Sequence, residues 1–291
     1  MRNRNFRALL IGVAALALSA CGGGGGATSG IAPMPLPPSP APAQPPALIP
    51  AATQSQQFAV LGASHLQVGD QTPQLGDSEQ LQVRYVASSN SYEVQLPESQ
   101  TWSAIEYTPA GDGTPINFTG GGAHLWLRSD GYQYSRLVEW SGGNSLHGYE
   151  AIGIATLAGG VPTTGSASYS GQIMGFTSET HSADDLFISG SIAMNFNFGS
   201  GSLFGSISPI LNQDFTQHFL GTIDFRNTVY SAGSTTFAGE FDTDIPGLNS
   251  FGGLFTGPNA QEVIGNFALP YRSPIDGTDQ QAAGAFVGRA D

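Results

Sequence analysis

The side chains with the greatest scope for chemistry are five histidines and one pair of adjacent carboxylates. The histidines are His65, His124, His147, His181 and His218. None of them has the spacing of a zinc site with another His or with a Cys. Asp184 and Asp185 stand close to His181, but neighbouring residues of a strand point to opposite faces of a sheet. The pair also falls where a hairpin turn is expected, so we interpret it as a solvated turn.

The histidines of the N-terminal half stand among aromatic residues. An axial His or a Tyr could ligate haem iron in this region, and the alternative is aromatic packing between two subdomains. We expect no resident cofactor and no bound metal ion. Haem is a ligand that the His and Tyr side chains of this region would suit. The candidate ligand-binding side chains are His124, Trp126, Tyr132, Tyr134 and His147.

The composition excludes several classes of chemistry. The chain has 291 residues and no Lys, so a phosphate-binding Walker loop, a Schiff-base enzyme and a Ser-Lys dyad are all excluded. A net charge of −13 argues against nucleic acid as a partner. The sequence also lacks the G-x-S-x-G, H-E-x-x-H and dinucleotide-binding motifs. We therefore predict a binding protein rather than an enzyme.

The N-terminus has the pattern of an export signal. Arg2, Arg4 and Arg7 precede an apolar run at 8–18, which is shorter than the roughly 20 residues of a membrane-spanning helix. The run ends in Leu-Ser-Ala-Cys, which resembles a bacterial lipobox, whereas the alternative is an ordinary signal peptide. The resemblance implies removal of residues 1–20 and acylation of Cys21, the only Cys of the chain. Gly rather than Asp after this Cys favours the outer membrane, again by resemblance to lipoproteins.

Residues 21–54 are predicted to be a tether. Five Gly occupy positions 22–26, and nine Pro fall between Pro33 and Pro50. Such a segment is flexible at its Gly end and semi-rigid at its polyproline end. It would hold the folded part of the chain away from the lipid surface.

From residue 55 onward, short alternating runs separated by Gly, Ser, Asn and Pro predict antiparallel strands. The first clear hairpin pairs Gln80–Ala87 with Ser91–Leu96. One face of its first strand is expected to carry Leu81, Val83, Tyr85 and Ala87, because side chains two apart share a face. We find no helical period of convincing length, so the prediction is an all-β fold.

The C-terminal half contains a repeat of a large apolar residue, Gly and a second apolar residue at alternate positions. Eight instances at the spacing of one strand plus one turn predict an eight-stranded antiparallel barrel, since Gly inside strands marks tight coiling. We expect a lumen filled with apolar side chains; a transmembrane barrel, with the polarity reversed, is the alternative. The central glycines are Gly171, Gly190, Gly205, Gly221, Gly239, Gly253, Gly265 and Gly284.

The inward face of each strand follows from this repeat. Phe237 and Phe241 are predicted to be buried and Glu240 to be exposed. In the fourth instance Phe219 is predicted to point inward, which would place His218 on the outer face.

Three segments of the barrel region resemble transferrin-binding protein B-like surface lipoproteins: 165–171, 257–265 and 284–289. The middle segment, Gly-Pro-Asn-Ala-Gln-Glu-Val-Ile-Gly, is the most specific, and its first four residues predict a strand end running into one helical turn. The likeness is good over 160–291 and loose over 57–160. It implies a handle-like β subdomain at 55–160 beside an eight-stranded barrel at 161–291, in a single lobe.

The same resemblance implies a role. Such proteins are displayed on the outer-membrane surface and bind host proteins, haem carriers or other iron sources. We therefore expect a lipid-anchored surface protein whose partner is a host protein or a small solute, with a TonB-dependent receptor as a further membrane partner. The alternative is a structural lipoprotein that binds an outer-membrane partner and no solute.

Overall fold

The computed structural model describes residues 46–66, 81–97, 99–109, 116–143, 146–179, 186–213 and 216–291. The signal sequence, Cys21, most of the predicted tether, His181, Asp184 and Asp185 lie outside these residues. The described residues form eighteen strands and no helix, which confirms the all-β prediction. These residues thus include no helix with the length and apolar character needed to span a membrane.

The first nine strands form one antiparallel sheet, which we call the handle sheet. Its strands are β1 Gln56–Gln57, β2 Ala59–Leu66, β3 Gln82–Val86, β4 Ser91–Gln95, β5 Ser103–Thr108, β6 Asn117–Gly120, β7 Ala123–Leu127, β8 Ser135–Ser141 and β9 Leu146–Gly153. The order is β1-β3-β4-β5-β6-β7-β8-β9-β2. Because β1 and β2 are separated only by Phe58 yet lie at opposite ends of this order, the sheet must curl round until its two edges meet.

The curled handle sheet encloses its own core. Leu81 and Val83 are fully buried and Tyr85 nearly so, as the shared face of the first hairpin predicts. Ala87 was wrongly placed on this face, because β3 ends at Val86 and Ala87 lies exposed in the turn. Trp140 of β8 is fully buried in the same core. Leu48, which precedes the sheet, is also fully buried there, so the chain packs against the handle sheet before residue 55. The division of the chain at 54/55 and 160/161 stays a prediction.

The last nine strands form the barrel. They are β10 Ser166–Thr177, β11 Phe187–Asn197, β12 Ser202–Gln213, β13 Thr216–Phe219, β14 Ile223–Val229, β15 Thr236–Phe241, β16 Ser250–Thr256, β17 Glu262–Arg272 and β18 Asp279–Ala290. β10 pairs with both β11 and β18, and β12 pairs with β11 and β14, so eight strands close a ring. The short β13 is an additional strand on β12. The predicted eight-stranded barrel is confirmed.

The glycine repeat explains how aromatic rings fit inside the barrel. A Cβ added to Gly253 would lie 2.4 Å from the ring of Phe237 on the neighbouring strand, and one added to Gly265 would lie 2.0 Å from the ring of Phe286. Each of these glycines therefore leaves the space that a large side chain of an adjacent strand occupies. Seven of the eight predicted glycines lie inside barrel strands.

The prediction made from the fourth instance of the repeat was wrong in where it placed Gly221 and Phe219. Gly221 lies in the connection between β13 and β14, with a φ of +95°, rather than inside a strand. Phe219 is 63% exposed, whereas His218 beside it is only partly exposed. The alternation was misassigned because β13 is a separate short strand that pairs with the far end of β12 and takes no part in closing the ring.

The lumen is filled by apolar side chains, as predicted. Phe196 lies at the centre of an aromatic cluster, with its ring 4.8 Å from that of Phe255 and 5.1 Å from that of Phe237. Phe237 and Phe241 are buried, and the Glu240 side chain is 42% exposed, which confirms the predicted register of β15.

The handle sheet packs on the outside of the barrel. Leu137 and Ala151 of the handle sheet form one apolar cluster with Ile264, Ala285 and Val287 of the barrel. The outer faces of β17 and β18 are thereby covered, while their inner faces fill the lumen. Both strands are consequently buried along most of their length.

Candidate binding surface at the handle–barrel junction

One buried carboxylate ties the handle sheet to the barrel. Glu262, at the start of β17, accepts hydrogen bonds from the amides of Gln133 (2.6 Å) and Tyr134 (3.0 Å). It also accepts one from the Ser135 hydroxyl at 2.7 Å. Because these three donors lie in the connection between β7 and β8 and at the start of β8, Glu262 fixes the loop that carries Tyr132 and Tyr134.

Tyr132 belongs to the interior of the junction. Its side chain is buried in the cluster that contains Ile264 and Val287, and this burial raises the pKa of the Tyr132 hydroxyl. The neighbouring Arg136 is also buried, which lowers the pKa of its guanidinium, whereas the charge of Glu262 acts in the opposite direction. Tyr132 therefore helps to hold the handle on the barrel and is closed to a large ligand.

Tyr134 lies at the surface, where it borders a groove of about 310 Å³ that we call the junction groove. The turn that begins Gly257-Pro258 lines the same groove. Gly257 has a φ of +82°, and a Cβ there would lie 2.7 Å from the Tyr134 ring, so this position requires Gly. The predicted helical turn was wrong, because Gly257 and Ala260 both have positive φ and the segment forms a non-helical turn.

Leu157 stands at the edge of the junction groove and is 81% exposed. Its backbone position is well supported, because the preceding Thr156 donates to the Phe255 carbonyl at 2.8 Å and its hydroxyl to the Gly257 carbonyl at 2.6 Å. Leu157 forms an apolar patch with Tyr134, Ile154 and Pro258 of the same groove, and exposed apolar patches mark binding surfaces. Sequence reasoning missed Leu157, although a single large apolar residue among the small residues of 155–160 was an available signal.

His124 and Trp126 lie together on the outer face of the handle sheet. Their rings stack with centroids 5.9 Å apart, His124 is exposed and Trp126 is partly exposed. His124 pairs with Ser141 on β8, which in turn pairs with His147 on β9. The two histidines thus share a face but stand two strands apart, which corresponds to about 10 Å.

His147 is held by a carboxylate rather than left open to a ligand. Its Nε2 lies 2.9 Å from Glu139 Oε1, and Arg128 Nε donates to Glu139 Oε2 at 2.7 Å. Burial alone would raise the pKa of Glu139, but the hydrogen bond from His147 and the charge of Arg128 lower it overall. The His147 ring also lies 5.4 Å from that of Phe176 on β10, so it takes part in aromatic packing between the handle sheet and the barrel.

The structure thus divides the five predicted residues between two places. His124, Trp126 and His147 share the outer face of the handle sheet, whereas Tyr132 and Tyr134 lie at the junction. Their role in ligand binding stays a prediction. Within the described residues no group of three or more His, Cys, Asp or Glu side chains could hold a metal ion.

Comparison with known proteins gives one family match. Residues 161–290 match the family model described as the C-lobe and N-lobe beta barrels of Tf-binding protein B. No curated protein matches the chain.

Similar solved structures include two transferrin-binding proteins B and one haemoglobin receptor. The protein from Haemophilus parasuis Hp5 is 14% identical, with a TM-score of 0.45, over 80% of this chain and 45% of that chain. The isotype 1 protein from serogroup B Neisseria meningitidis is 16% identical, with a TM-score of 0.44, over 80% and 43%. HpuA from Kingella denitrificans, solved with human haemoglobin, is 11% identical, with a TM-score of 0.43, over 82% and 88%.

This chain spans less than half the length of the two transferrin-binding proteins B. The family match covers the ring of strands whose glycine repeat and filled lumen are described above. The barrel of this chain, residues 161–290, is therefore similar to the beta barrels of transferrin-binding protein B.

Proposed function

We propose that this protein is a lipid-anchored lipoprotein of the outer-membrane surface that binds a host protein, a haem or iron source, or another solute. The observation that carries the proposal is the exposure of Leu157 beside the junction groove. The barrel family supports it, because the family takes its name from proteins that bind transferrin.

The junction groove suits a protein partner better than a reaction. Its apolar members Leu157, Tyr134 and Pro258 are accompanied by the polar side chains of Gln54 and Gln56. An apolar centre with a polar rim is the usual anatomy of a protein interface. The groove also lies at the junction that the hydrogen bonds of Glu262 hold in place, so the partner would bind to a preformed surface.

The N-terminal sequence supports the anchor. Acyl chains on Cys21 and the Gly- and Pro-rich segment that follows it would hold the handle sheet and the barrel outside the bilayer. A TonB-dependent receptor is the membrane partner that we propose for delivery of the captured iron or haem.

The anchor is tested by Cys21→Ser. We expect the variant to lose its association with the outer membrane, because no acyl chain can be attached to the Ser hydroxyl by the same reaction. The measurement is fractionation of cells into outer membrane, inner membrane and soluble protein, followed by immunoblotting. An outer-membrane fraction unchanged by the substitution would refute acylation at this residue.

The junction groove is tested by Leu157→Asp. A charge at the centre of an apolar contact is expected to weaken binding at least tenfold, which corresponds to about 1.4 kcal/mol. Binding would be measured by biolayer interferometry with host transferrin, host haemoglobin and haemin as separate probes.

The matched control is Leu248→Asp, since Leu248 is 60% exposed and lies near the opposite end of β16. Equal binding by both variants and the unsubstituted protein would show that another surface is used. If no host probe binds, while an outer-membrane protein co-purifies with the chain, the proposal fails in favour of a structural lipoprotein.

A further inference from the structure

Three neighbouring strands of the barrel contain no charged residue. The sequences of β10, β11 and β12 are SASYSGQIMGFT, FISGSIAMNFN and SLFGSISPILNQ, without Asp, Glu, Lys, Arg or His. These three strands are consecutive neighbours in the ring. We call the surface formed by their outward side chains, together with Phe219 of the neighbouring strand β13, the neutral wall.

The neutral wall is bounded by charge on both sides. Asp224 of β14 is the cross-strand partner of Ser206 at one margin. At the other margin the Ser170 hydroxyl donates to the Asp291 carboxylate at 2.7 Å. On a protein with 22 acidic and nine basic groups, an uncharged surface three strands wide is a local departure from the rest of the chain.

Two exposed phenylalanines stand on this surface. Phe204 of β12 is 61% exposed, and Phe219 of β13, which pairs with Ile210 of β12, is 63% exposed. The strand rise between positions 204 and 210 separates the two rings by about 20 Å. The neutral wall therefore presents two aromatic platforms rather than one.

Each phenylalanine borders a groove that contains hydroxyl and amide side chains, and the groove at Phe219 also has an apolar floor of Met174 and Ile210. The groove at Phe204 has a volume of about 260 Å³ and includes Ser168 and Asn195. Asn195 is the direct cross-strand partner of Phe204, and the Ser168 hydroxyl donates to its Oδ1 at 2.7 Å, which fixes the amide beside the ring. The groove at Phe219 has a volume of about 450 Å³ and includes Gln172 and Ser191.

This combination favours a neutral carbohydrate. A sugar ring has an apolar C–H face that can cover an aromatic ring, and hydroxyls around its edge that match Ser, Asn and Gln side chains. Protein interfaces depend instead on Tyr, Trp and Arg anchors, and no described side chain of these types points outward from β10, β11 or β12. Charged ligands would find no counter-ion on the wall.

We infer that the neutral wall binds an uncharged oligosaccharide, with Phe204 and Phe219 as stacking platforms. The separation of the two rings selects a chain of several sugars over a single sugar. The inference goes beyond the proposed function and is independent of the junction groove, which lies elsewhere on the molecule's surface and involves none of these residues.

The experiment uses the mature protein without its lipid and a panel of neutral hexasaccharides of glucose and of N-acetylglucosamine. Saturation-transfer NMR and calorimetric titration would report binding, and we expect at least one neutral hexasaccharide to bind. Phe204→Ala and Phe219→Ala should each weaken its affinity at least tenfold, whereas Phe204→Trp should retain it.

Two controls separate the inference from weaker explanations. Leu248→Ala removes an equally exposed apolar side chain outside the wall and should leave the affinity unchanged. The hexasaccharide of unacetylated glucosamine is cationic and should bind no better to the unsubstituted protein than to Phe204→Ala.

Three results would overturn the inference. They are the absence of binding to every neutral hexasaccharide, equal affinity in the unsubstituted protein and in both Phe→Ala variants, and self-association that Phe204→Ala abolishes. The last would assign the neutral wall to a second copy of the chain. Capture of host proteins through the junction groove would be unaffected by any of these outcomes, so the two proposals fail separately.

Discussion

Replacing Glu262 with Ala is expected to lower the free energy of unfolding by about 3 to 5 kcal/mol, the range for breaking a buried charged interaction by removing one partner. The carboxylate accepts two backbone amides and one hydroxyl, and all three donors would lose their partner. Arg136, which is buried nearby, would lose the negative charge that supports its protonated form. Urea unfolding followed by Trp fluorescence would measure the loss.

The matched control for Glu262 is Glu240→Ala. Glu240 lies on the outer face of β15, where its carboxylate is 3.4 Å from Arg226 and 42% exposed. Such surface pairs contribute about 0 to 1 kcal/mol. If the two variants lose the same small amount, the carboxylate of Glu262 does not hold the junction together, and the apolar cluster alone does.

Replacing Glu150 with Gln is expected to change how stability depends on pH. Glu150 is fully buried in the handle sheet, where it accepts the Leu81 amide at 3.1 Å. It has room because its cross-strand partner is Gly62, where a Cβ would lie 2.6 Å from the Glu150 Cγ. Burial raises the pKa of Glu150 to about 8 from its ordinary 4.5, against the smaller opposing effect of the Leu81 hydrogen bond.

The direction of the effect follows from the proton each state holds. Between pH 4.5 and 8 the folded protein keeps the proton on Glu150 while the unfolded chain releases it, so stability falls as pH rises. The slope is about 1.4 kcal/mol per pH unit. Gln cannot ionise and still accepts the Leu81 amide. The free energy of unfolding of Glu150→Gln should therefore rise relative to that of the unsubstituted protein by about 1.4 kcal/mol per pH unit, and this difference should become constant above pH 8.

The measurement is urea unfolding of both proteins at intervals from pH 4 to 9. Taking the difference between the two proteins cancels the contributions of all other titrating groups. A difference that stays constant across this range would mean that Glu150 has the same pKa in the folded and unfolded states, and that the handle core admits water to the carboxyl.

The barrel could be predicted from the sequence because its defining contacts repeat. Gly253 and Gly265 each leave space for a Phe ring of a neighbouring strand. At Gly171, Gly190 and Gly284 an added Cβ would instead meet the backbone of a neighbouring strand, so the repeat marks close packing in both cases. A pattern of apolar residues at alternate positions around a central Gly therefore identifies both the strands and the face of each strand that points into the barrel. The pattern gave a wrong prediction at Gly221, because the sequence there repeats the pattern although β13 does not pair as a strand of the closed ring.

The junction could not be predicted in the same way. Tyr134, Leu157 and Pro258 come together only because β9 leads past the end of β16, where Ala155 and Thr256 form an isolated bridge. No periodicity links residues so far apart in the chain. Tyr134 was identified by its residue type as a candidate haem ligand, whereas its surroundings place it on the edge of a groove.

The position of β18 has a consequence for the order of folding. β18 is the final strand of the barrel, yet it pairs with β10 and β17 and supplies part of the surface on which the handle sheet packs. Ser170 and Asp291, which meet where the ring closes, are 121 residues apart. Contacts of such long range form slowly. The handle sheet, although made first, therefore cannot complete its packing on the barrel until β18 is in place.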